Sequence, residues 1–289
     1  MKVAVIGGSG KMGSWLADFL RQDGQEVVIA GRNQAKLLET GKRLGVAVDA
    51  IPEAVRNAEV VLLSVAIDSF SEVVSQLAPH IRSGQIVIDV TSVKTSPVAA
   101  MHRFLATDQV LGAHPLFGPG AANLSNQNVV LTPTNETETV LAGKVRKYLE
   151  DRGARVSLMT PRRHDEKMSA VLGLSHFIAI VSADALLSSG ELNDDSHLSG
   201  VTYRVLLTLM ESVLSEGPEL YASLQVNLPG MTEIEDLFLQ KAGAWAELVR
   251  NKDSQEFIRQ MKALRDRLAE GNTDFGKAYQ NMYRLAAGL

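Results

Sequence analysis

The feature that most constrains this chain is an apolar run that leads directly into a glycine-rich turn and then into a helical pattern. Residues 2–6 are mostly β-branched or apolar, and apolar residues recur at helical spacing from Met12 to Leu20. Between them lies a G-x-G-x-x-G pattern, whose residues are Gly8, Ser9, Gly10, Lys11, Met12 and Gly13. Glycines here permit a tight turn and let backbone N–H groups approach a pyrophosphate, which the positive end of the helix stabilises. The sequence therefore predicts a strand, a dinucleotide-binding turn and a helix.

The alternation of strand and helix patterns continues to about residue 160. Further runs rich in apolar and β-branched residues predict strands at 26–30, 60–65, 85–90, 110–112, 128–131 and 155–158. The longer runs are almost continuously apolar, as in parallel strands that helices cover on both faces. We therefore predict an α/β fold in which residues 1–160 form a Rossmann-type doubly wound parallel sheet.

The second half of the chain has a different pattern. After Thr160-Pro161 the apolar residues recur at helical spacing, and the helical segments are separated by glycine and proline. These breaks fall at Gly190, Gly217-Pro218, Pro229-Gly230 and Gly271-Asn272. Residues 161–289 are therefore predicted to form an all-helical domain. Its first segment, residues 162–188, is apolar on more than one face, which predicts burial between domains or subunits and a homodimer formed through this half.

Charge and composition exclude several classes of protein. The chain has 289 residues, with 29 Lys and Arg against 33 Asp and Glu, so the basic patch typical of nucleic-acid binders is missing. It has no cysteine, which excludes disulfides and thiolate metal sites. The longest continuous apolar runs, such as residues 60–66, are far shorter than a membrane helix, and the N-terminus resembles a strand. We expect a cytoplasmic enzyme that binds a small molecule, without nucleic-acid or membrane partners.

The residues after the second predicted strand bear on the choice between NAD and NADP. An NAD site usually has an acidic residue there, which binds the ribose 2′-hydroxyl, but this chain has Gly31-Arg32-Asn33. The Arg32 guanidinium offers donors that match phosphate oxygens, and Asn33 can add a hydrogen bond. We therefore predict NADP as the cofactor, with NAD the less favoured alternative.

Polar residues follow two of the later strands, at the sheet edge where parallel sheets bind their ligands. Ser92 and Lys94 follow the strand at 85–90, and His114 stands in a predicted loop between glycines and prolines. This position favours a functional interpretation of Lys94 and His114. The histidines His80, His102, His164 and His197 have polar or loop surroundings and are interpreted as surface residues. The polar loop at residues 194–197 is not predicted to bind a metal, and no metal site is expected.

At these residues the sequence resembles the prephenate/arogenate dehydrogenase family, the oxidoreductases of tyrosine biosynthesis. The resemblance extends over most of the chain. It rests on the glycine turn at 8–13, Thr-Ser-Val-Lys at 91–94, His-Pro-Leu-Phe-Gly-Pro at 114–119, Leu-Ser-His at 174–176, Tyr203-Arg204 and Pro-Glu-Leu-Tyr-Ala at 218–222. The stretches at 114–119 and 218–222 are fairly specific when they occur together.

The resemblance implies oxidative decarboxylation of a substrate with two carboxylates and a ring hydroxyl. His114 would accept the hydroxyl proton, as suits an imidazole, and Ser92 would orient the same hydroxyl. Arg204 would bind a carboxylate through two parallel hydrogen bonds, His176 would line the pocket, and Lys94 is a supporting candidate. Because Arg204 lies in the helical half, the substrate is expected in a cleft between the domains.

Other functions remain open at this point. A deazaflavin-dependent NADP reductase has a similar glycine turn and a similar Gly31-Arg32 site, but it does not require the His114 stretch. A β-hydroxyacid dehydrogenase pairs a Rossmann domain with helices and works with a lysine on the first long helix, where Lys167 has unmatched surroundings. A non-catalytic NADPH-binding protein is a third alternative. The resemblance does not separate prephenate from arogenate.

Overall fold

The structure is a computed structural model that describes residues 1–190 and 199–287. The chain divides into two compact units, Met1–Met168 and Ser169–Leu289. The first unit therefore includes the helix that follows Thr160.

The first unit is built on an eight-stranded sheet with the strand order β3-β2-β1-β4-β5-β6-β7-β8. The strands are β1 (Lys2–Ile6), β2 (Glu26–Ala30), β3 (Ala47–Val48), β4 (Val60–Leu63), β5 (Ile86–Asp89), β6 (Val110–Pro115), β7 (Asn128–Thr132) and β8 (Arg155–Leu158). The helices are α1 (Lys11–Gln22), α2 (Gln34–Leu44), α3 (Ile51–Asn57), α4 (Phe70–Leu77), α5 (Thr95–Phe104), α6 (Glu136–Glu150) and α7 (Pro161–Met168). The predicted doubly wound sheet is confirmed.

The apolar runs of the strands separate into two cores because successive side chains point to opposite faces of the sheet. Val5 packs in a cluster with residues of α1, α2 and α6, whereas its neighbour Ile6 packs with residues of α3, α4 and α5. Both side chains are almost completely buried. Helices cover both faces, which explains why the strand sequences lack a polar alternation.

The sheet differs from the prediction at β6 and β7. These two strands are antiparallel, and Gly112 to Pro115 pair with Thr132 to Val129. This pairing extends β6 beyond the predicted end at residue 112, so the interpretation of His114 as a loop residue is wrong. His114 lies in the strand, opposite Val130. The short strand β3 was not predicted.

In the second unit, the described residues form helices without strands. A π-helical segment, Ser169–Leu174, precedes α8 (Ser175–Ser189), and the others are α9 (Val201–Leu214), α10 (Pro218–Asn227), α11 (Met231–Arg250), α12 (Ser254–Gly271) and α13 (Ala278–Ala286). The predicted breaks at Gly190 and Gly230 are confirmed, and both glycines have a φ of +73°, which other residues rarely adopt. A further break precedes α12, where the Asp253 side chain caps the helix by accepting from the Glu256 N–H at 3.0 Å.

Several helices of this unit expose large apolar side chains. Helix α12 has no buried residue, and Ile258, Met261, Leu264 and Leu268 on it are all exposed. By length and composition alone, the helical segment Pro161–Ser189 could also cross a membrane, and only 17% of its most apolar window is buried. Polar residues interrupt this segment, so it contains no continuous apolar run as long as a membrane helix, and the sequence analysis did not identify it.

Candidate active site

The glycine-rich turn opens into a cleft at the carboxyl ends of β1, β2 and β4. The cleft has a volume of about 320 Å³ and is lined by Ser9 and Gly10 of the turn and by Arg32, Asn33 and Lys36 beyond β2. No acidic residue of the described chain is among its lining residues. The cleft therefore combines the turn that leads into the N-terminus of α1 with positive charge, which suits the phosphates of a dinucleotide.

Two glycines allow the close approaches that shape this turn. Gly7 has a φ of +85°, and a Cβ atom there would lie 2.0 Å from the Ser64 carbonyl oxygen. A Cβ atom at Gly13 would lie 2.4 Å from the Gly7 carbonyl oxygen, so this glycine lets α1 pack tightly against the turn. Gly7 was not among the predicted cofactor residues, although its positive φ is what the tight turn requires.

The other predicted residues of the turn have different surroundings. A side chain at Gly8 would collide with Ile29, so Gly8 serves packing against β2. Lys11 and Met12 begin α1 and are not among the residues that line the cleft.

The residues beyond β2 form the cationic side of the cleft. Arg32 and Lys36 are exposed, and the Asn33 side chain caps α2 by accepting from the Lys36 N–H at 3.0 Å. This cap holds the first turn of α2 and thereby the stem of Lys36. All three residues line the cleft, and the sequence analysis proposed Arg32 and Asn33 but not Lys36, which lies one helical turn after Asn33.

The segment after β5 is held by a buried carboxylate. Asp89 accepts from the Thr91 N–H at 2.8 Å through one oxygen, and the Lys94 ammonium donates to its other oxygen. Lys94 also donates to the Ala113 carbonyl at 2.8 Å. These bonds fix the loop that carries the half-buried Ser92 and tie it to β6.

The Lys94 ammonium thus bonds to Asp89 and to the Ala113 carbonyl, whereas the sequence analysis expected it to bind the substrate. Both Lys94 and Asp89 have no exposed surface. Burial acts to raise the pKa of Asp89 and to lower the pKa of Lys94, and the ion pair between them opposes both shifts. The described contacts make Lys94 a buried cation next to the strand that carries His114.

His114 is 4% exposed and lies at one end of a chain of hydrogen bonds. Its Nδ1 atom lies 2.8 Å from Nε2 of His164, and Nδ1 of His164 lies 2.7 Å from Oδ1 of Asp165. Asp165 in turn accepts from the backbone N–H groups of Lys94 at 2.7 Å and Thr95 at 2.8 Å. The carboxylate therefore anchors α7 to the start of α5.

The interpretation of His164 as a surface residue is wrong. His164 has 0% exposure, although its helix has the polar sequence Pro-Arg-Arg-His-Asp-Glu-Lys-Met. It is buried because hydrogen bonds satisfy both of its nitrogens. The adjacent His-Asp pair at residues 164 and 165 is the signal that could have identified it.

The surroundings of His114 set its protonation state. Burial, followed by electrostatic repulsion from Lys94 and from His164, holds the pKa of His114 well below its usual value of 6.5. Burial acts to raise the pKa of Asp165, but hydrogen bonds from His164, Thr95 and Lys94 outweigh it, and the net shift is downward. At neutral pH the site therefore combines a neutral His114 with an ionised Asp165, which is an arrangement that can accept a proton.

The predicted substrate residues of the helical unit lie in two places. The His176 ring is 4.7 Å from the Tyr221 ring, and its buried Nδ1 atom has no hydrogen-bond partner among the described residues. Burial lowers the pKa of His176. Arg204 is exposed, and its guanidinium donates to the Ala286 carbonyl at 3.4 Å.

Metal ligands are not grouped anywhere in residues 1–190 and 199–287. His197 and the polar loop at 194–197 lie outside the described residues. His80 and His102 bond to Arg56 and Glu138, respectively.

Two sequence models of one family match this chain. The model described as "Prephenate dehydrogenase, nucleotide-binding domain" matches residues 16–158, and the one described as "Prephenate dehydrogenase, dimerization domain" matches residues 160–263. These matches favour the resemblance over a deazaflavin-dependent reductase or a β-hydroxyacid dehydrogenase.

Two relatives in sequence agree with these matches. A probable arogenate/prephenate dehydrogenase of Methanocaldococcus jannaschii is 32% identical over 267 residues, which are 91% of this chain and 60% of the relative. A T-protein of Haemophilus influenzae is 26% identical over 290 residues, 100% of this chain and 72% of that protein. The chain thus spans about two thirds of the length of these relatives.

The crystal structure of prephenate dehydrogenase from A. aeolicus with hydroxyphenyl propionate and NAD+ is 21% identical to this chain. It has a TM-score of 0.76 and covers 94% of this chain and 98% of its own. The two proteins share the fold.

Proposed function

Because the chain belongs to the prephenate dehydrogenase family, we propose that it catalyses the oxidative decarboxylation of prephenate or arogenate with a nicotinamide cofactor. The observation that carries the proposal is the position of His114. This histidine is neutral at pH 7, lies near the carboxyl end of a sheet strand, and belongs to the same unit as the dinucleotide turn. A site of this kind can accept the proton that an alcohol loses when it is oxidised.

His114 and Ser92 of the first unit have separate roles in this reaction. When bound, the nicotinamide would take the hydride from the ring carbon that carries the hydroxyl. His114 accepts the hydroxyl proton, and Ser92 orients the hydroxyl. Loss of CO₂ returns an electron pair to the ring and leaves a phenolate oxygen, to which His114 gives the proton back. Protons and electrons then balance without another acid, base or oxidant.

We propose NADP⁺ as the preferred cofactor. The cationic rim formed by Arg32 and Lys36, without an acidic residue among the lining residues, supports this choice. A 2′-phosphate is a better partner for these cations than a 2′-hydroxyl.

Arg204 and His176 are proposed to bind the substrate. The exposed Arg204 guanidinium has donors to offer to a carboxylate, since the Ala286 carbonyl at 3.4 Å is a weak partner. The unpartnered Nδ1 atom of His176 supports a role in ligand binding, because a buried polar atom without a partner is costly. Lys94 is not proposed to bind a substrate carboxylate, because its ammonium is paired with Asp89. Its proposed role is to hold the loop that carries Ser92.

A homodimer formed through the helical unit is part of the proposal. The description of the matching model for residues 160–263 as a dimerization domain supports it. So does the apolar groove of about 480 Å³ on α12, which includes Ile258, Met261 and Leu264. Light scattering should report twice the 31.2 kDa chain mass, and Met261→Glu should favour the monomer. A monomeric wild-type protein would contradict this part.

The deciding experiment incubates purified protein with prephenate or arogenate and with NADP⁺ or NAD⁺. Absorbance of the reduced cofactor and release of CO₂ are followed together. We expect one CO₂ for each cofactor reduced, with faster turnover on NADP⁺. Cofactor reduction without CO₂ would indicate a simple alcohol dehydrogenase, and no reduction with either substrate would overturn the proposed function.

A further inference from the structure

We propose that His164 and Asp165 form a relay with His114, which fixes the tautomer of His114 and shares the proton that His114 accepts. The proposal deepens the proposed function, on which its catalytic half rests. His114 is the group that contacts substrate, whereas His164 and Asp165 are positioning residues that act through it.

The order of donors and acceptors in the relay follows from its anchored end. Asp165 is ionised and already accepts two backbone N–H groups, so it can only accept from His164. Nδ1 of His164 therefore carries a hydrogen, and its Nε2 atom, when the ring is neutral, is an acceptor. Nδ1 of His114 must then donate to it across the 2.8 Å contact. This leaves Nε2 of His114 as the lone pair that can take the substrate proton.

The charges around His114 explain why a partner for its proton is needed. The Lys94 ammonium repels a positive charge on His114, and the carboxylate of Asp89 is already paired with that ammonium. A positive charge held on His114 alone would be buried beside another cation. If the Nδ1 proton moves to Nε2 of His164, His114 becomes neutral again and the positive charge lies against Asp165. The reverse transfer restores the proton to His114 for return to the phenolate.

The tautomer can be measured without substrate or cofactor. Nitrogen-15 NMR of histidine-labelled protein distinguishes protonated from unprotonated ring nitrogens, and histidine variants assign the signals. We expect His114 in the wild-type protein to carry its hydrogen on Nδ1, and His164→Phe to shift it toward the Nε2-protonated form. A wild-type His114 protonated on Nε2 would overturn the proposal, as would a tautomer that His164→Phe leaves unchanged.

A second pair of variants separates orientation from proton sharing. His164→Gln keeps an amide oxygen where Nε2 was, so it can accept from His114 but cannot take its proton. We expect this variant to retain the Nδ1 tautomer while KM stays nearly unchanged and kcat falls, because the proton can no longer be shared. The expected fall is about 10- to 100-fold, the scale found for groups that hydrogen-bond to metal-binding histidines. Because proton sharing is proposed to outweigh the repulsion between the two rings, the acidic limb of kcat/KM should move to lower pH in this variant. Removal of a group that only repelled His114 would instead move the limb to higher pH. His164→Phe should lose more activity than His164→Gln.

The matched control is His102→Gln. His102 also bonds to a carboxylate in the same unit, Glu138 Oε1 at 2.5 Å, and the substitution should leave the pH profile unchanged. An acidic limb that stays in place or moves to higher pH in His164→Gln would contradict proton sharing, as would equal losses in both His164 variants. Failure of the proposed function is distinguishable, since wild-type protein would then reduce no cofactor while the substrate-free NMR result still supports or overturns the relay.

Discussion

The two compact units hold their candidate functional groups in different states. In Met1–Met168, the buried His114 hydrogen-bonds to His164, and His164 hydrogen-bonds to Asp165. In Ser169–Leu289, Arg204 is exposed and a buried nitrogen of His176 has no described partner. Side chains that hydrogen-bond to one another are held in position before a ligand binds. Exposed or unpartnered side chains instead gain their hydrogen-bond partners when the ligand binds. The proposed function accordingly assigns the chemistry to the first unit and substrate recognition to the second.

The largest expected effect is on kcat, from removal of the base. General bases contribute about 10²- to 10⁴-fold, so His114→Asn should lower kcat by that factor with a smaller change in KM. Steady-state kinetics with the preferred substrate and cofactor measure both, and His80→Asn in the same unit serves as the control. If kcat survives in His114→Asn, the buried network is structural and the division between the units fails.

The pH dependence of the wild-type protein sharpens the same point. Burial, with repulsion from Lys94 and His164, places the pKa of His114 well below 6.5. The neutral, proton-accepting form therefore persists below pH 6.5, and kcat/KM should fall only as the pH drops through the lowered pKa. Below pH 6.5 the unfolded chain binds a proton that folded His114 does not, so folding stability also decreases as the pH falls. Both trends should weaken in His114→Asn, and an acidic limb above pH 6.5 would contradict the assignment.

The next effect is on stability, from the buried Lys94 and Asp89 pair. Lys94→Met leaves the carboxylate of Asp89 buried and unpaired, which typically costs about 3–5 kcal/mol. The double variant Lys94→Met with Asp89→Leu removes both charges and should recover part of that loss. Urea unfolding monitored by circular dichroism gives the free energies. If Lys94→Met were as stable as the wild-type protein, Lys94 would be available to ligands, as the sequence analysis predicted.

Binding, rather than stability, should respond in the helical unit. Arg204 is exposed without substrate, and the proposed substrate carboxylate would cover its guanidinium. Removing one partner of a charge pair covered in this way costs about 2–5 kcal/mol, so Arg204→Ala should lower kcat/KM by about 30-fold or more. Arg204→Lys should restore only part of it, because an ammonium cannot form two parallel hydrogen bonds. The exposed Arg267 on α12 gives a matched control, Arg267→Ala. Unchanged substrate affinity in Arg204→Ala would make Arg204 a structural residue.

The sequence predicts the parts of the site that depend on neighbouring residues. The turn at Gly8 to Gly13 is local, because the strand, the glycines and the helix follow one another within a few residues. The bond between His114 and His164 joins residues 50 positions apart, and nothing in the hydropathy of either segment indicates it. His164 belongs to a polar helix that tertiary hydrogen bonds bury. For the same reason the antiparallel pairing that places His114 in β6 could not be predicted from β6 alone.

The smallest expected effect concerns the cofactor and tests whether the first unit also has a region devoted to recognition. Arg32 is exposed at the rim of the dinucleotide cleft, so water screens part of its attraction to a 2′-phosphate. Arg32→Ala should raise the KM for NADP⁺ by about tenfold, equivalent to about 1.4 kcal/mol, and leave the KM for NAD⁺ nearly unchanged. Lys36→Ala should act in the same direction, and Arg32→Ala with Lys36→Ala should remove most of the preference. Higher salt should weaken NADP⁺ binding to the wild-type protein more than to the double variant. Equal changes for both cofactors would mean that Arg32 does not distinguish the 2′-phosphate, and the preference for NADP⁺ would lose its structural basis.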